Sequence, residues 1–167
     1  MSLSSIDNFC GQHNIAGLVR IEYAPTHWIY APEFERVVTE AGNWQYAITF
    51  TTGSWLTASA RPAGRLWNEA GQNAEQGVFY QQEVRGIAPK LRPAVARQLG
   101  MMEKMGFLLK LTDRNGNPWI LGTLENPFFF LASATSGDEA AGLNNYELIW
   151  TSSTQHRAAG FVPVLPE

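Results

Sequence analysis

The sequence predicts a mainly β domain of the α+β class, an antiparallel β-sandwich or barrel with one flanking α-helix over about residues 92–105. Three observations carry this reading. Two apolar runs, Phe107–Thr112 and Pro118–Thr123, flank the turn cluster Asp113-Arg114-Asn115-Gly116-Asn117. Branched and aromatic residues on both sides of Asn-Gly form the strongest local hairpin signal. Segments such as Gly17–Tyr23 and Trp44–Phe50 place apolar residues at every second position, the period of a half-buried strand. Only Arg92–Met105 carries an apolar stripe at helical spacing.

In chain order, residues 1–16 are rich in Ser, Asn and Gly and read as an irregular lead-in. In the strand Gly17–Tyr23, Val19, Ile21 and Tyr23 share one face, and Arg20 and Glu22 the other. Pro25 and Pro32 bracket a short extended piece, His27–Tyr30; Phe34–Glu40 reads as a single helical turn or a strand, and Val37-Val38-Thr39 favours the strand. Trp44, Tyr46, Ile48 and Phe50 line one face of the next strand, and a turn at Gly53-Ser54 sends Trp55–Ala60 back antiparallel to it. Residues 61–76 hold Pro62, Gly64, Gly71 and the polar run Asn68–Gln76, which predict a long exposed loop or a mobile hairpin.

Gly77–Arg85 resumes as a strand. Pro93 suits a first helical turn, Val95, Leu99 and Met102 fall at i, i+4 and i+7, and Gly106 suits a helix C-cap. After the central hairpin, Asn126-Pro127 breaks the chain. The strand Phe128–Ala134 follows, and its three consecutive phenylalanines predict burial on both faces. Thr135–Asn144 reads as loop, Tyr146–Thr151 as a strand, and Phe161–Val164 as a last short edge limited by Pro163 and Pro166. No repeat or linker divides residues 1–167, which read as a single domain.

Charged residues make up 16% of the chain against about 25% in an ordinary domain. With 6 Trp, 9 Phe and 5 Tyr, this calls for a large aromatic core or an aromatic interface with another chain. A net charge of −3 and scattered basic residues argue against specific nucleic-acid binding. Cys10 is alone, so there is no internal disulfide, which fits a reducing compartment. MSLSSIDNFC lacks the pattern of a signal peptide, and no apolar stretch approaches the ~20 residues of a membrane span. The expectation is a soluble protein, cytoplasmic when synthesised, with no membrane partner.

No chemical motif survives inspection. Cys10 and His13 have half of a zinc-site spacing, but only His27 and His156 remain to complete it, and a free buried thiol beside a surface histidine is the simpler reading. Asp113-x-Asn115-Gly116-Asn117 is superficially like a calcium loop. Its glycine is fourth rather than sixth, and its twelfth position is Leu124, with Glu125 one residue late. Turn chemistry accounts for these residues. Neither Gly53-Ser54 nor Ser136-Gly137 sits in a nucleophile elbow, Asp138-Glu139 lie in a polar loop, and no phosphate-cradling glycine pattern occurs. Cys10 with His13 or His156 is a dyad only if the fold happens to assemble it. No catalytic, cofactor-binding or metal residue is therefore assigned, and no cofactor is expected. Trp28, Tyr30, Trp44, Tyr46 and Trp55 read either as a carbohydrate or peptide platform or, more simply, as an aromatic core layer.

The order of elements in the second half points further. Val84–Pro89 leads to a helix ending near Met105. A strand, the Asp113–Gly116 turn and a strand ending Ile120-Leu121-Gly122-Thr123 come next. The break Asn126-Pro127, the loop Ser136-Gly137 and the closing strand Asn145–Thr151 complete the order. Over about Val78–Phe161 this resembles structural proteins encoded in tail-morphogenesis regions of prophages, and more loosely the tail-tube family. The resemblance implies a β-sandwich or barrel with one flanking helix and a non-enzymatic subunit that self-associates into rings or tubes with other tail proteins, ending in a virion or phage-like particle. Mild negative charge suits a lumen through which DNA slides without sticking. The alternatives are a monomeric carbohydrate- or peptide-binding domain and an enzyme of unrecognised type. Because a β-branched side chain opposes positive φ, Gly116→Val is expected to impair folding rather than any chemistry. Unchanged circular dichroism and thermal midpoint in that variant would contradict the turn.

Overall fold

The computed structural model describes residues 15–30, 36–38, 44–46, 48–75, 77–136, 144–155 and 157–160. Along the chain, β1 spans Leu18–Pro25, β2 Arg36–Val38, β3 Trp44–Tyr46, β4 Leu56–Thr57, β5 Leu66–Ala74 and β6 Gly77–Pro89. The helix α1, Pro93–Met102, follows. Then come β7 Gly106–Asp113, β8 Pro118–Leu121, β9 Phe128–Thr135, β10 Asn145–Thr154 and β11 Ala159–Gly160. β2 and β3 form their own small ladder, and the other nine strands join in one antiparallel sheet. The fold is thus mainly antiparallel β with one helix, in a barrel-like sheet that stays open. Among the described residues no helix is long and apolar enough to cross a membrane.

The central hairpin forms as the sequence predicts. β7 pairs with β8 from Leu109↔Leu121 to Thr112↔Pro118. Gly116 adopts φ +87° with open space around it, so a Cβ there costs torsional strain rather than a clash. One edge of β7 serves two neighbours, since Gly106 and Phe107 pair with β9 while Leu109–Thr112 pair with β8. Its other edge carries β1, from Pro25↔Phe107 to Leu18↔Asp113. The path continues through β9, β10 and β6 to β5.

Inside this curved sheet Phe107, Leu109, Leu111, Ile21, Tyr23, Val84, Phe128, Phe130, Leu148 and Trp150 form the main core. Tyr23 meets Phe107 edge-on at 5.7 Å, and Phe130 lies 4.9 Å from Trp150. Outside β1 and β7, Leu108, Ala24 and Ile29 make a second core covered by Ile48, Phe50, Trp55 and Leu124.

The gap between β1 and β6 is crossed by the segment after β4. Ala58 N–H donates to the Ile21 carbonyl and Arg61 N–H to the Ile87 carbonyl. Gly86 makes room, because a Cβ there would lie 3.0 Å from that of Ala60. The Arg65 guanidinium then donates to the Ala60 carbonyl through Nε at 3.1 Å and Nη2 at 2.6 Å, and to the Val19 carbonyl through Nη1.

Several expectations are corrected. Val19 is 51% exposed and not on the face of Ile21 and Tyr23, because a bulge between Leu18 and Arg20 turns it outward. Trp55–Ala60 does not return along 44–50: β4 pairs with β1 (Glu22↔Thr57, Tyr23↔Leu56), and Phe50 bridges Ile29 instead. Residues 61–76, expected as a long exposed loop or a mobile hairpin, are no loop: a 3-10 turn, Pro62–Gly64, leads into β5, which forms a hairpin with β6 over its whole length. Ladder bonds involve the backbone, so a polar sequence is no bar. The helix is shorter than 92–105, as Glu103 N–H bonding to Leu99 and 3-10 bonds from Lys104 and Met105 close its last turn. Gly106 is therefore the first residue of β7 and not a cap. β9 alternates, with Phe128 and Phe130 buried but Phe129 and Leu131 outside. The lead-in to residue 14 and the edge Phe161–Val164 fall outside the described residues, and the short edge seen is β11.

Hydrogen bonds from a charged donor contribute about 1.5–3 kcal/mol each. Arg65→Met, which keeps the apolar stem, is expected to lower unfolding free energy in urea by about 1–3 kcal/mol. It should also speed amide exchange at Ala58 and Arg61; unchanged exchange there would show that Arg65 does not hold the gap shut.

Candidate functional site

Two features stand apart from the fold's own needs. The first is a cleft of about 470 Å³ where α1 lies across one end of the barrel. Leu99 and Met102 face inward from the helix and pack on the main core. The connection from β6 into α1, Pro89-Lys90-Leu91-Arg92-Pro93, forms one rim. Lys90 there is the non-glycine residue with positive φ, +68°, among the described residues. This conformation costs roughly 1–2 kcal/mol, and β10's approach holds it. Lys90 N–H donates to the Asn144 carbonyl at 2.9 Å and Leu91 N–H to Asn144 Oδ1 at 2.7 Å. The Tyr146 hydroxyl accepts from Arg92 N–H at 3.3 Å and donates to the Arg92 carbonyl at 3.2 Å.

The cleft floor is Tyr23, Leu148 and Trp150, and residues 57–59 form the far wall. Burial pushes the Tyr23 hydroxyl's pKa up, with its hydrogen bond to Gln98 pulling partly the other way. Trp150 is fully buried, and its indole N–H has no hydrogen-bond partner. The described lining contains Lys90, Arg92, Gln98, Thr57 and Ser59 but no carboxylate, histidine or cysteine. The cleft thus offers positive charge and hydrogen-bond donors at its rim and walls.

The second feature is the outer face of β9–β10–β6–β5. Leu131, Ile149, Arg85 and Leu66 form one cross-strand row, and Phe129, Thr151, Glu83 and Asn68 the next. Phe129 is 61% exposed and Leu131 63%. Arg85 ties the rows together, with Nε 2.7 Å from Glu83 and Nη1 3.4 Å from Glu147. Beside Phe129 opens a groove of about 380 Å³, walled by Gln81, Asn126 and Ser153.

Among the described residues, the candidates suggested by the sequence form no common site. Cys10, His13, His156, Asp138 and Glu139 lie outside the described residues; His27 is exposed, its ring edge-on to Trp28 at 6.1 Å. No three metal-ligating side chains come together among the described residues. Of the aromatic set, Trp55 covers the second core, meeting Phe50 edge-on at 5.6 Å, while the side chains of Trp44 and Tyr46 lie outside the description. Of the cleft residues, Tyr23, Val95, Leu99 and Met102 read in sequence as core positions and not as a site. The local signal available was a pair of cations, Lys90 and Arg92, bracketed by Pro89 and Pro93. A scan against protein-family models and searches of curated proteins and solved structures find no match for this chain.

The turn Asp113–Asn117, which superficially resembles a calcium loop, has an occupied carboxylate. Asp113 Oδ1 accepts from the N–H groups of Asn115 at 2.9 Å and Asn117 at 2.8 Å. Its Oδ2 accepts from Asn117 Nδ2 at 2.9 Å and Trp119 Nε1 at 3.3 Å. Partial burial pushes the Asp113 carboxyl up, but these donors outweigh it and hold its pKa below the usual carboxylate value. A depressed folded-state pKa stabilises the protein above the unfolded value, near 4, and that stability is lost as pH falls through the folded pKa. Asp113→Asn is expected to lose stability at neutral pH and flatten the acid limb below about pH 4 in urea titrations. A variant with the parent's pH profile would show that the carboxylate does not matter.

Proposed function

We propose that this chain is a non-enzymatic structural subunit that self-associates into the ring or tube of a tail-like assembly, together with other tail proteins. The observation that carries self-association is the outer face of β9–β10–β6–β5, where Phe129 and Leu131 stand side by side at 61% and 63% exposure. Paired apolar residues on an open sheet face mark surfaces that another chain covers. Among the described residues the same sheet ends at β5, whose nine residues pair with β6 alone and leave an edge for a neighbour. The β5–β6 ladder also runs on past the last β10 pair, Thr154↔Tyr80, through Gln72↔Phe79 to Ala74↔Gly77. This ribbon is exposed along residues 70–75 and is suited to reach an adjacent subunit. The tail assignment itself rests on the order of elements over Val78–Phe161, and the net charge of −3 agrees with a lumen that does not hold DNA. Synthesis in the cytoplasm followed by incorporation into a particle is part of this reading.

A second reading, a monomeric binding domain, is favoured by the cleft under α1. Light scattering after size exclusion, with electron microscopy of concentrated samples, separates the two. The expected result is rings, tubes or discrete oligomers with contacts above about 1,000 Å². Phe129→Lys combined with Leu131→Lys should yield monomers with unchanged circular dichroism. A wild-type chain that stays monomeric at high concentration, or a double variant that assembles normally, would overturn the proposal.

A further inference from the structure

The cleft under α1 is not needed for self-association, and its chemistry is one-sided. At about 470 Å³ it falls within the range of small-molecule sites. One rim carries two cations, Lys90 and Arg92, and neither makes an ion pair among the described residues. No carboxylate lies in the described lining to neutralise them. Three other cations are matched by carboxylates within the fold: Lys110 faces Glu22 at 3.0 Å, Arg85 lies between Glu83 and Glu147, and Arg157 is 4.0 Å from Glu69. What sets Lys90 and Arg92 apart is that both line one cleft that holds no described carboxylate.

Their backbone is also unusually constrained. Lys90 sits at φ +68°, and Asn144 and Tyr146 clamp the three residues Lys90–Arg92 by four hydrogen bonds. Backbone held in a sparsely populated conformation by its surroundings concentrates at ligand clamps. Below the cations the wall turns apolar, with Leu99, Met102 and Leu148. Between the two zones lie neutral donors, the Tyr23 hydroxyl and the Gln98 amide. A charged rim over an apolar floor selects a ligand with a charged head and an apolar body.

We propose that this cleft binds a small amphiphilic carboxylate, its head group between Lys90 and Arg92 and its apolar body against Leu99, Met102 and Leu148. Two partly exposed cations contribute modestly, so affinity in the micromolar to millimolar range is expected. Isothermal titration calorimetry of the intact chain with octanoate, 1-octanol and octylammonium tests head-group selection, and hydrogen exchange locates the ligand. Octanoate should bind at least fivefold more tightly than octanol, octylammonium should not bind, and octanoate should protect residues 88–92 and 98–102. Lys90→Gln with Arg92→Gln should weaken octanoate about tenfold. Both side chains are exposed, so the variant keeps its fold and its oligomeric state. Equal affinity for octanol, protection centred on Phe129 and Leu131, unaltered affinity in the double variant, or no saturable octanoate binding would each overturn the proposal. None of these outcomes bears on assembly, which is read from the oligomer size.

Discussion

β7 has no solvent face along most of its length, and the rest of the fold follows from that. Phe107, Leu108, Leu109 and Leu111 are all fully buried. Phe107, Leu109 and Leu111 enter the main core, while Leu108 enters the second. A strand buried on both sides needs a neighbour on each edge and a layer over each face. β1 supplies one edge, β9 and β8 share the other, and the segments around Ile29 and Phe50 roof the outer side. Burying four such side chains is worth on the order of 6–12 kcal/mol as an upper bound, comparable with the whole stability of a typical domain. Because β8 and β9 use the same edge of β7 at different heights, the sheet must splay, and that splay curls it towards a barrel.

Charge on β7 is handled in the same spirit. Lys110 shares the Leu108 side of β7 and lies directly opposite Glu22 on β1, 3.0 Å away and largely removed from water. Its ammonium is also 5.5 Å from the centre of the Trp55 ring. A paired cation stacked on an aromatic face covers the strand without leaving a charge unsatisfied. The barrel interior is graded along its length. Towards α1 it is apolar, whereas at the other end Gln82, Ser152 and Thr154 are buried. There the Gln82 amide donates to Glu69 at 2.7 Å, and the Ser152 hydroxyl donates to the Pro127 carbonyl at 3.2 Å.

The hairpin, β1, β6, β10 and the helix are legible in sequence because each is a local pattern: Asn-Gly between apolar runs, alternation, or a 3.6-residue stripe. What escapes the sequence is set by distant partners. β5 reads LWNEAGQNA, a polar stretch with little strand propensity, and becomes a strand because β6 offers a complete ladder. The outward turn of Val19 comes from a bulge whose register is dictated by β7. Three phenylalanines in a row look two-faced, yet only Phe128 and Phe130 meet the core, and Phe129 is left out because none of the described residues covers that face of β9. The cleft is assembled from Tyr23, residues 57–59, 88–92, α1 and β10, so no window of sequence contains it. Only its rim, two cations between two prolines, leaves a local trace.

The pairing of β1 with β7 joins residues more than 80 positions apart, Pro25 with Phe107 and Leu18 with Asp113. During synthesis at about 5–20 residues per second, the first strand therefore waits roughly 4–20 s before its partner exists. Over that interval Ile21 and Tyr23 have no core to enter. The chain's riskiest period is thus before its middle hairpin emerges, and a chaperone that shields an early strand would matter more to its yield than any slow step after release.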